Sequence, residues 1–182
     1  MSGSLVDKKY FETFKRKTVE KWAGLKLNHS IYGFQIQQGT RWNPGLTNTQ
    51  IIEYEKKMCI AFPDDYKCML SVVNGTDLAT LNVYGNSGEP HRTSVGVYSY
   101  PKDLEIIEER INGVRKEREE ITTVLLDQGF ELEKEAGLVP IYSHRFVVCE
   151  KDSSKSTVLS ISGKDAIVYG NSLREYLEKE FL

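Results

Sequence analysis

The sequence predicts an α+β domain, a mostly antiparallel sheet flanked by helices. Three observations predict it. Two short helices are marked out between Ile51 and Gly75 (IIEYEKKMCIAFPDDYKCMLSVVNG), four short apolar segments follow closely between Leu138 and Tyr169, and helical segments open and close the chain. Consecutive strands with turn-sized separations favour hairpins, and helices outside such a run favour segregated rather than alternating architecture.

Residues Leu5 to Leu25 read as a helix with Tyr10, Phe14, Val19 and Trp22 on an apolar face and Lys8, Lys9, Lys15, Arg16 and Lys17 on a basic one. A basic amphipathic helix can serve a membrane or a partner; packing on the domain is the simpler expectation. Asn28 to Leu46 is irregular, with a short strand at Phe34 to Gln37 and a loop at Gly39 to Gly45 punctuated by Pro and Gly. Residues 1–42 are thus expected to be a helical extension and loop packed on a domain spanning 43–182.

In the helix pair, Thr47 and Gln50 have the form of a capping box. Ile51, Tyr54, Glu55 and Met58 share one face. Pro63 suits the start of a second helix, and Asp64 and Asp65 suit its positive end. Tyr66, Met69, Leu70 and Val73 form its apolar stripe, and Asn74-Gly75 can take the left-handed conformation that ends a helix. Strands are expected at Leu78 to Tyr84 and Thr93 to Tyr98, separated by the turn-rich Gly85-Asn-Ser-Gly88. A long helical region follows from Pro101 to about Gln128, with Gly113 as a point of breaking or bending. Its RKEREE run is expected to be a solvated face with internal ion pairs. The four closing strands are Leu138 to Tyr142, Arg145 to Cys149, Thr157 to Ile161 and Ala166 to Tyr169. A helix capped by Ser172 and Glu175 then buries Leu173, Tyr176, Leu177 and Phe181.

Composition narrows function. Of 182 residues, 40% are hydrophobic and 27% charged, and 24 basic against 26 acidic residues leave a net charge of −2. That near-neutrality argues against direct nucleic-acid binding by bulk electrostatics. No apolar run is long enough to span a bilayer, and the N-terminus lacks the apolar core of a signal peptide, so a cytoplasmic protein without a membrane partner is expected. Three scattered cysteines, Cys59, Cys68 and Cys149, do not form a disulfide framework or a metal-ligand spacing.

Chemistry-bearing residues are sparse. His29, His91 and His144 lie far apart with no paired-ligand spacing, Gly85 and Gly88 do not precede a helix, and no nucleophile elbow is present. No catalytic residue, metal site or cofactor is therefore expected. The polar cluster best suited to binding a partner is Arg41, Trp42, Asn86, His91, Arg92, His144 and Arg145, all in or beside expected loops. An alternative is that His144 and Arg145 satisfy carbonyls or Glu55 where sheet and helix meet. Glu55, on the apolar side of its helix, needs a buried partner, for which Arg145 or Arg41 are natural candidates; Asp65 has a structural role at its helix start.

The stretch IEYEKKMCIAFPDDYKCMLSVVNG resembles the signature block of the SUKH superfamily, whose members include fungal cell-wall synthesis regulators of the Smi/Knr type. Leu138-Val-Pro-Ile141 is similar to the start of that family's central hairpin. Asp165-Ala-Ile-Val-Tyr-Gly170, followed by Leu173, Tyr176, Leu177 and Glu180-Phe181, resembles its final strand and helix. Together the blocks cover about residues 43 to 181. Many members carry a Gly-Asp pair where this chain has Ser143-His144-Arg145-Phe146, which looks like a bacterial branch. The resemblance implies a non-catalytic, cofactor-free immunity or antitoxin protein that neutralises a partner toxin by occluding it. A regulatory interaction scaffold and an enzyme built on His144 are the alternatives.

Overall fold

Residues 3–83, 92–151 and 156–182 are described by a computed structural model. Helix α1 (Gly3–Ala23) packs by a stripe of Phe11, Phe14, Thr18 and Trp22, all essentially inaccessible to water. This spacing of three and four residues is the helical repeat. Tyr10 and Val19 lie at its margin, only partly buried. Two lysines of the basic face are used internally: Lys15 Nζ donates to Val72 O at 3.2 Å and Lys21 Nζ to Leu182 O at 2.8 Å. The extension is therefore built into the main core rather than laid over it.

Strands β1 (Gly33–Gln35) and β2 (Trp42–Pro44) precede the helix pair. Helix α2 (Asn48–Met58) opens with the expected capping box, Thr47 Oγ1 accepting from Gln50 N and the Gln50 side chain accepting from Thr47 N. It ends at Cys59, a left-handed residue with φ of 54°. Helix α3 (Asp64–Leu70) starts after Pro63 and stops at Ser71, four residues earlier than the sequence suggests. Asn74-Gly75 instead belongs to strand β3 (Val73–Thr76), paired antiparallel with β2 across a register shift. Gly75 does adopt a positive φ of 72°, and a Cβ there would also meet Ser99 Oγ and the Val97 carbonyl. The left-handed glycine serves a close crossing inside a sheet, not a helix end.

Strand β4 (Thr80–Val83) lies between β1 and β5 (Arg92–Ser94) in a three-stranded sheet. The long helical region divides into α4 (Leu104–Lys116) and α5 (Arg118–Asp127), breaking at Glu117 and not at Gly113. The charged run thus sits at the junction, and Lys164 Nζ reaches it from a distant hairpin, 3.7 Å from Glu117 and 2.8 Å from Glu120.

The remaining strands, β6 (Gly137–Tyr142), β7 (Arg145–Cys149), β8 (Val158–Ser162) and β9 (Asp165–Gly170), form an antiparallel meander in sequence order. Segment Val97–Tyr98 joins this sheet to β3: Thr76 N donates to Val97 O and Tyr98 N to Ile141 O. Helix α6 (Leu173–Phe181) closes the chain, with Ser172 Oγ accepting from Glu175 N while the Glu175 carboxylate takes Asn171 N.

Strand alternation places two cores on the two faces of the meander. Val139, Ile141, Val147, Cys149 and Val158 face α1, α2, α3 and α6, whereas Leu138, Phe146, Val148, Leu159 and Ile161 face α5 and the end of α4. The result is an α+β fold with helices on both sides of an antiparallel sheet. No helix among the described residues is long and apolar enough to cross a membrane.

Candidate functional site

The β6–β7 hairpin turns through Ser143 and His144, and Ser143 takes a positive φ of 49°. Tyr98 Oη donates to Ser143 O at 2.9 Å, fixing the turn from the neighbouring segment. His144 is half-buried. Its Nδ1 lies 3.1 Å from Ser143 Oγ and its Nε2 against Arg145 Nη1. A guanidinium can only donate, so Nε2 carries the lone pair and the ring proton resides on Nδ1. Burial, with the charges of Arg145 and Arg110 added, holds the imidazole below its ordinary proton affinity. The ring is thus a neutral hydrogen-bonding group at neutral pH.

Arg145, the first residue of β7, is held on three sides. Nη1 donates to Ser160 Oγ at 2.8 Å, Nε lies 3.5 Å from Glu180 Oε2, and the guanidinium carbon sits 3.9 Å from the centre of the Tyr169 ring. Lys179 Nζ is 4.0 Å from the same ring centre. The Arg145–Glu180 contact is an ion pair outside hydrogen-bond geometry, and Tyr176 Oη, buried beside it, has no hydrogen-bond partner among the described residues. Burial raises the proton affinity of Tyr142 and Tyr176, and Glu180 raises it further, so both phenols stay neutral.

The sequence-derived cluster is brought together only in part. His144 and Arg145 are adjacent at one hairpin tip. Arg41 is exposed at the start of β2, where its backbone exchanges hydrogen bonds with Asp77: Arg41 N donates to Oδ1 at 2.7 Å and Asp77 N to Arg41 O at 3.0 Å. Trp42 is not a surface anchor. It is 6% exposed, its Nε1 donates to Thr18 Oγ1 at 2.7 Å, and its ring packs on Phe14, Trp22 and Phe181. The Pro and Gly flanking it read as a loop, whereas the Trp itself is a strand residue inserted under α1. Arg92 pairs with Asn82 through the backbone of β5, and Asn86 and His91 lie outside the described residues.

Glu55 meets neither arginine. Its Oε1 accepts from Phe62 N at 2.7 Å, while its carbonyl accepts from Ile60 N at 3.1 Å. It closes the break between α2 and α3 using groups seven residues apart. Asp65 ties α3 to the start of β8 by accepting from Ser156 N at 2.9 Å and from Ser156 Oγ. Both acidic residues are structural.

Sequence reasoning assigned no role to Arg110, Tyr98, Ser160 or Tyr169, which frame His144 and Arg145. They come from four separate elements; Tyr169 lies in the stretch that resembles the family's final strand and Glu180-Phe181 in its final helix, whereas Arg110, Tyr98 and Ser160 carried no such signal. Phe181 stands 5.7 Å from Trp42 and 5.4 Å from Tyr142 between ring centres, linking the buried tryptophan to the hairpin.

Away from the hairpin tip, a cleft of about 500 Å³ opens between the α2–α3 break, the α4–α5 junction and the start of β6. His144 does not line it. No group of three or more His, Cys, Asp or Glu among the described residues is arranged to hold a metal ion. No family model matches the chain, and no curated protein matches it.

Proposed function

We propose that this chain is a non-catalytic protein-binding domain of the SUKH type, most simply an immunity or antitoxin protein that occludes a toxin. One observation carries the reading. The three stretches that resemble the family's blocks, far apart in sequence, contribute to one core: Tyr54, Phe62 and Tyr66 from the first, Val139 and Ile141 from the second, and Leu173, Tyr176, Leu177 and Phe181 from the third. That core supports a hairpin tip where Ser143, His144 and Arg145 are held by Tyr98, Ser160, Tyr169 and Glu180. Pre-ordered polar and aromatic groups lower the entropy cost of docking. Arg110 and Arg41 add exposed positive charge that can steer an acidic partner surface.

The test is co-expression with toxins encoded beside the gene. Growth rescue and co-purification are expected. Failure to rescue or to co-purify with any of them overturns the immunity reading, and capture of a partner from an unrelated locus would favour a regulatory scaffold instead.

A further inference from the structure

The cleft at the helix break has a composition of its own. Its floor is apolar, formed by Ile60, Ile111, Val114 and Leu138 with the buried Cys149. The positive groups around it are Arg115, Arg118, Lys134 and Lys151, against the single carboxylate of Glu135. Among the described residues none of these four cations has a salt-bridge partner. Two are nonetheless fixed in place. Arg118 Nη2 donates to Glu133 O at 2.7 Å, and Arg115 Nη2 reaches Met58 O at 3.4 Å. Each guanidinium keeps further N–H donors beyond those bonds. Arg118 is half-buried, and desolvation works against its charge, an effect that the nearby Glu135 carboxylate offsets only in part.

A volume of about 500 Å³ falls in the range of small-molecule sites, which are mostly apolar with a few fixed polar groups. The backbone contributes to the floor as well: at Gly137 a Cβ would fall 2.5 Å from Ile60 Cγ2, so the strand lies flat on the helix break there.

We propose that this cleft binds a small apolar carboxylate, with its hydrocarbon on the Ile60–Ile111–Leu138 floor and its carboxylate between Arg115 and Arg118. The charge pattern chooses the head group and the floor chooses the body. This site is separate from the hairpin tip and does not depend on the protein-binding reading.

Decanoate is the probe, titrated calorimetrically into the full chain, with decanol and decyltrimethylammonium as comparisons of equal chain length. Decanoate is expected to bind with a Kd below about 1 mM and at least about tenfold more tightly than either comparison. Ala61, exposed at the cleft, allows a blocking variant, Ala61→Trp, that leaves the core intact. That variant, and Arg115→Glu combined with Lys134→Glu at exposed positions, should each weaken decanoate by at least about tenfold while thermal unfolding remains cooperative. A second readout is the alkylation rate of Cys59, an exposed thiol at the cleft, which bound decanoate should slow. Equal binding of decanol, unchanged affinity in folded variants, or no saturable binding would overturn the proposal. So would an acidic peptide that protects Cys59 where decanoate does not.

Discussion

Arg145 and Glu180 form an ion pair that joins the first residue of β7 to the last turn of α6, with Nε 3.5 Å from Oε2 and side chains 13% and 17% exposed. Removing one partner leaves the other charge largely desolvated. Glu180→Ala or Arg145→Ala should therefore cost about 2–4 kcal/mol, slightly less than for a fully buried pair. Replacing both, as Arg145→Met with Glu180→Leu, should cost clearly less than the two single changes added. Urea unfolding of the four proteins measures the coupling, and strict additivity would show that the pair does not act as a unit.

The Trp42–Thr18 hydrogen bond fastens β2 to α1 inside the core. Thr18→Val preserves shape but leaves the indole N–H unpaired, so it should destabilise by about 1–3 kcal/mol. Trp42→Phe removes that donor but leaves a gap among Phe14, Trp22 and Phe181, and should cost about 2–4 kcal/mol. Both values come from denaturant midpoints. A Thr18→Val protein as stable as the parent would mean that the bond contributes nothing net.

His144 gives a pH dependence whose sign is fixed. Its folded-state proton affinity is lowered by burial first, then by Arg145 and Arg110. The unfolded chain therefore takes up the proton first, near the ordinary histidine value of about 6.5. Stability should be intact above that value and decline as pH falls from it through the lower folded value. His144→Asn should remove this part of the acid dependence. In an NMR titration, Arg110→Ala should move the His144 midpoint upward; an unmoved midpoint would mean that the arginine does not act on the ring.

How much of this was legible in sequence depended on the range of the interactions. The Thr47–Gln50 cap spans three residues, and β7 was read at its observed bounds because short apolar runs and turns are local signals. Strand β2 was hidden because Trp42-Asn43-Pro44 has no alternation of its own; it exists through pairing with β3, thirty residues on. For the same reason Asn74-Gly75 reads locally as a helix stop. The site followed this pattern. His144 and Arg145 were legible as neighbours, but their supports at residues 98, 160, 169 and 180 are tertiary contacts. Trp42 misled because its punctuation is that of a loop and its burial is decided by α1.

Glycine substitutions separate conformational strain from steric overlap. Gly75 and Gly39 have similar positive φ, 72° and 78°, but a Cβ at Gly75 would stand 2.0 Å from Ser99 Oγ, whereas at Gly39 it meets nothing within 4 Å. Gly39→Ala should cost only the left-handed penalty, about 1–2 kcal/mol. Gly75→Ala should cost about 3 kcal/mol or more, since Ser99 also binds Asn43 and the Asn74 carbonyl and cannot simply turn away. Equal melting shifts for the two would deny the overlap its role.

Glu55 offers the last test, because it links the helix break to a buried thiol. Its carboxylate receives the Phe62 N–H at 2.7 Å, and this fixes the segment after α2, whose Cys59, Ile60 and Ala61 line the cleft together with Cys149. Cys149 is 4% exposed, and burial first, then the charges of Asp65 and Glu55, push its thiol well above the ordinary range. It should react far more slowly with alkylating reagents than the exposed Cys59, whose access is open. Glu55→Gln keeps an acceptor for Phe62 and should lose only about 1 kcal/mol, the difference between a charged and a neutral hydrogen bond. Glu55→Ala strands the amide and should lose about 1.5–3 kcal/mol. The two variants should also differ in labelling: Cys149 should stay protected in Glu55→Gln and become more reactive in Glu55→Ala as the break loosens. Removal of a negative charge alone would accelerate Cys149 equally in both, so equal acceleration would assign the effect to electrostatics and not to the hold that Glu55 keeps on Phe62.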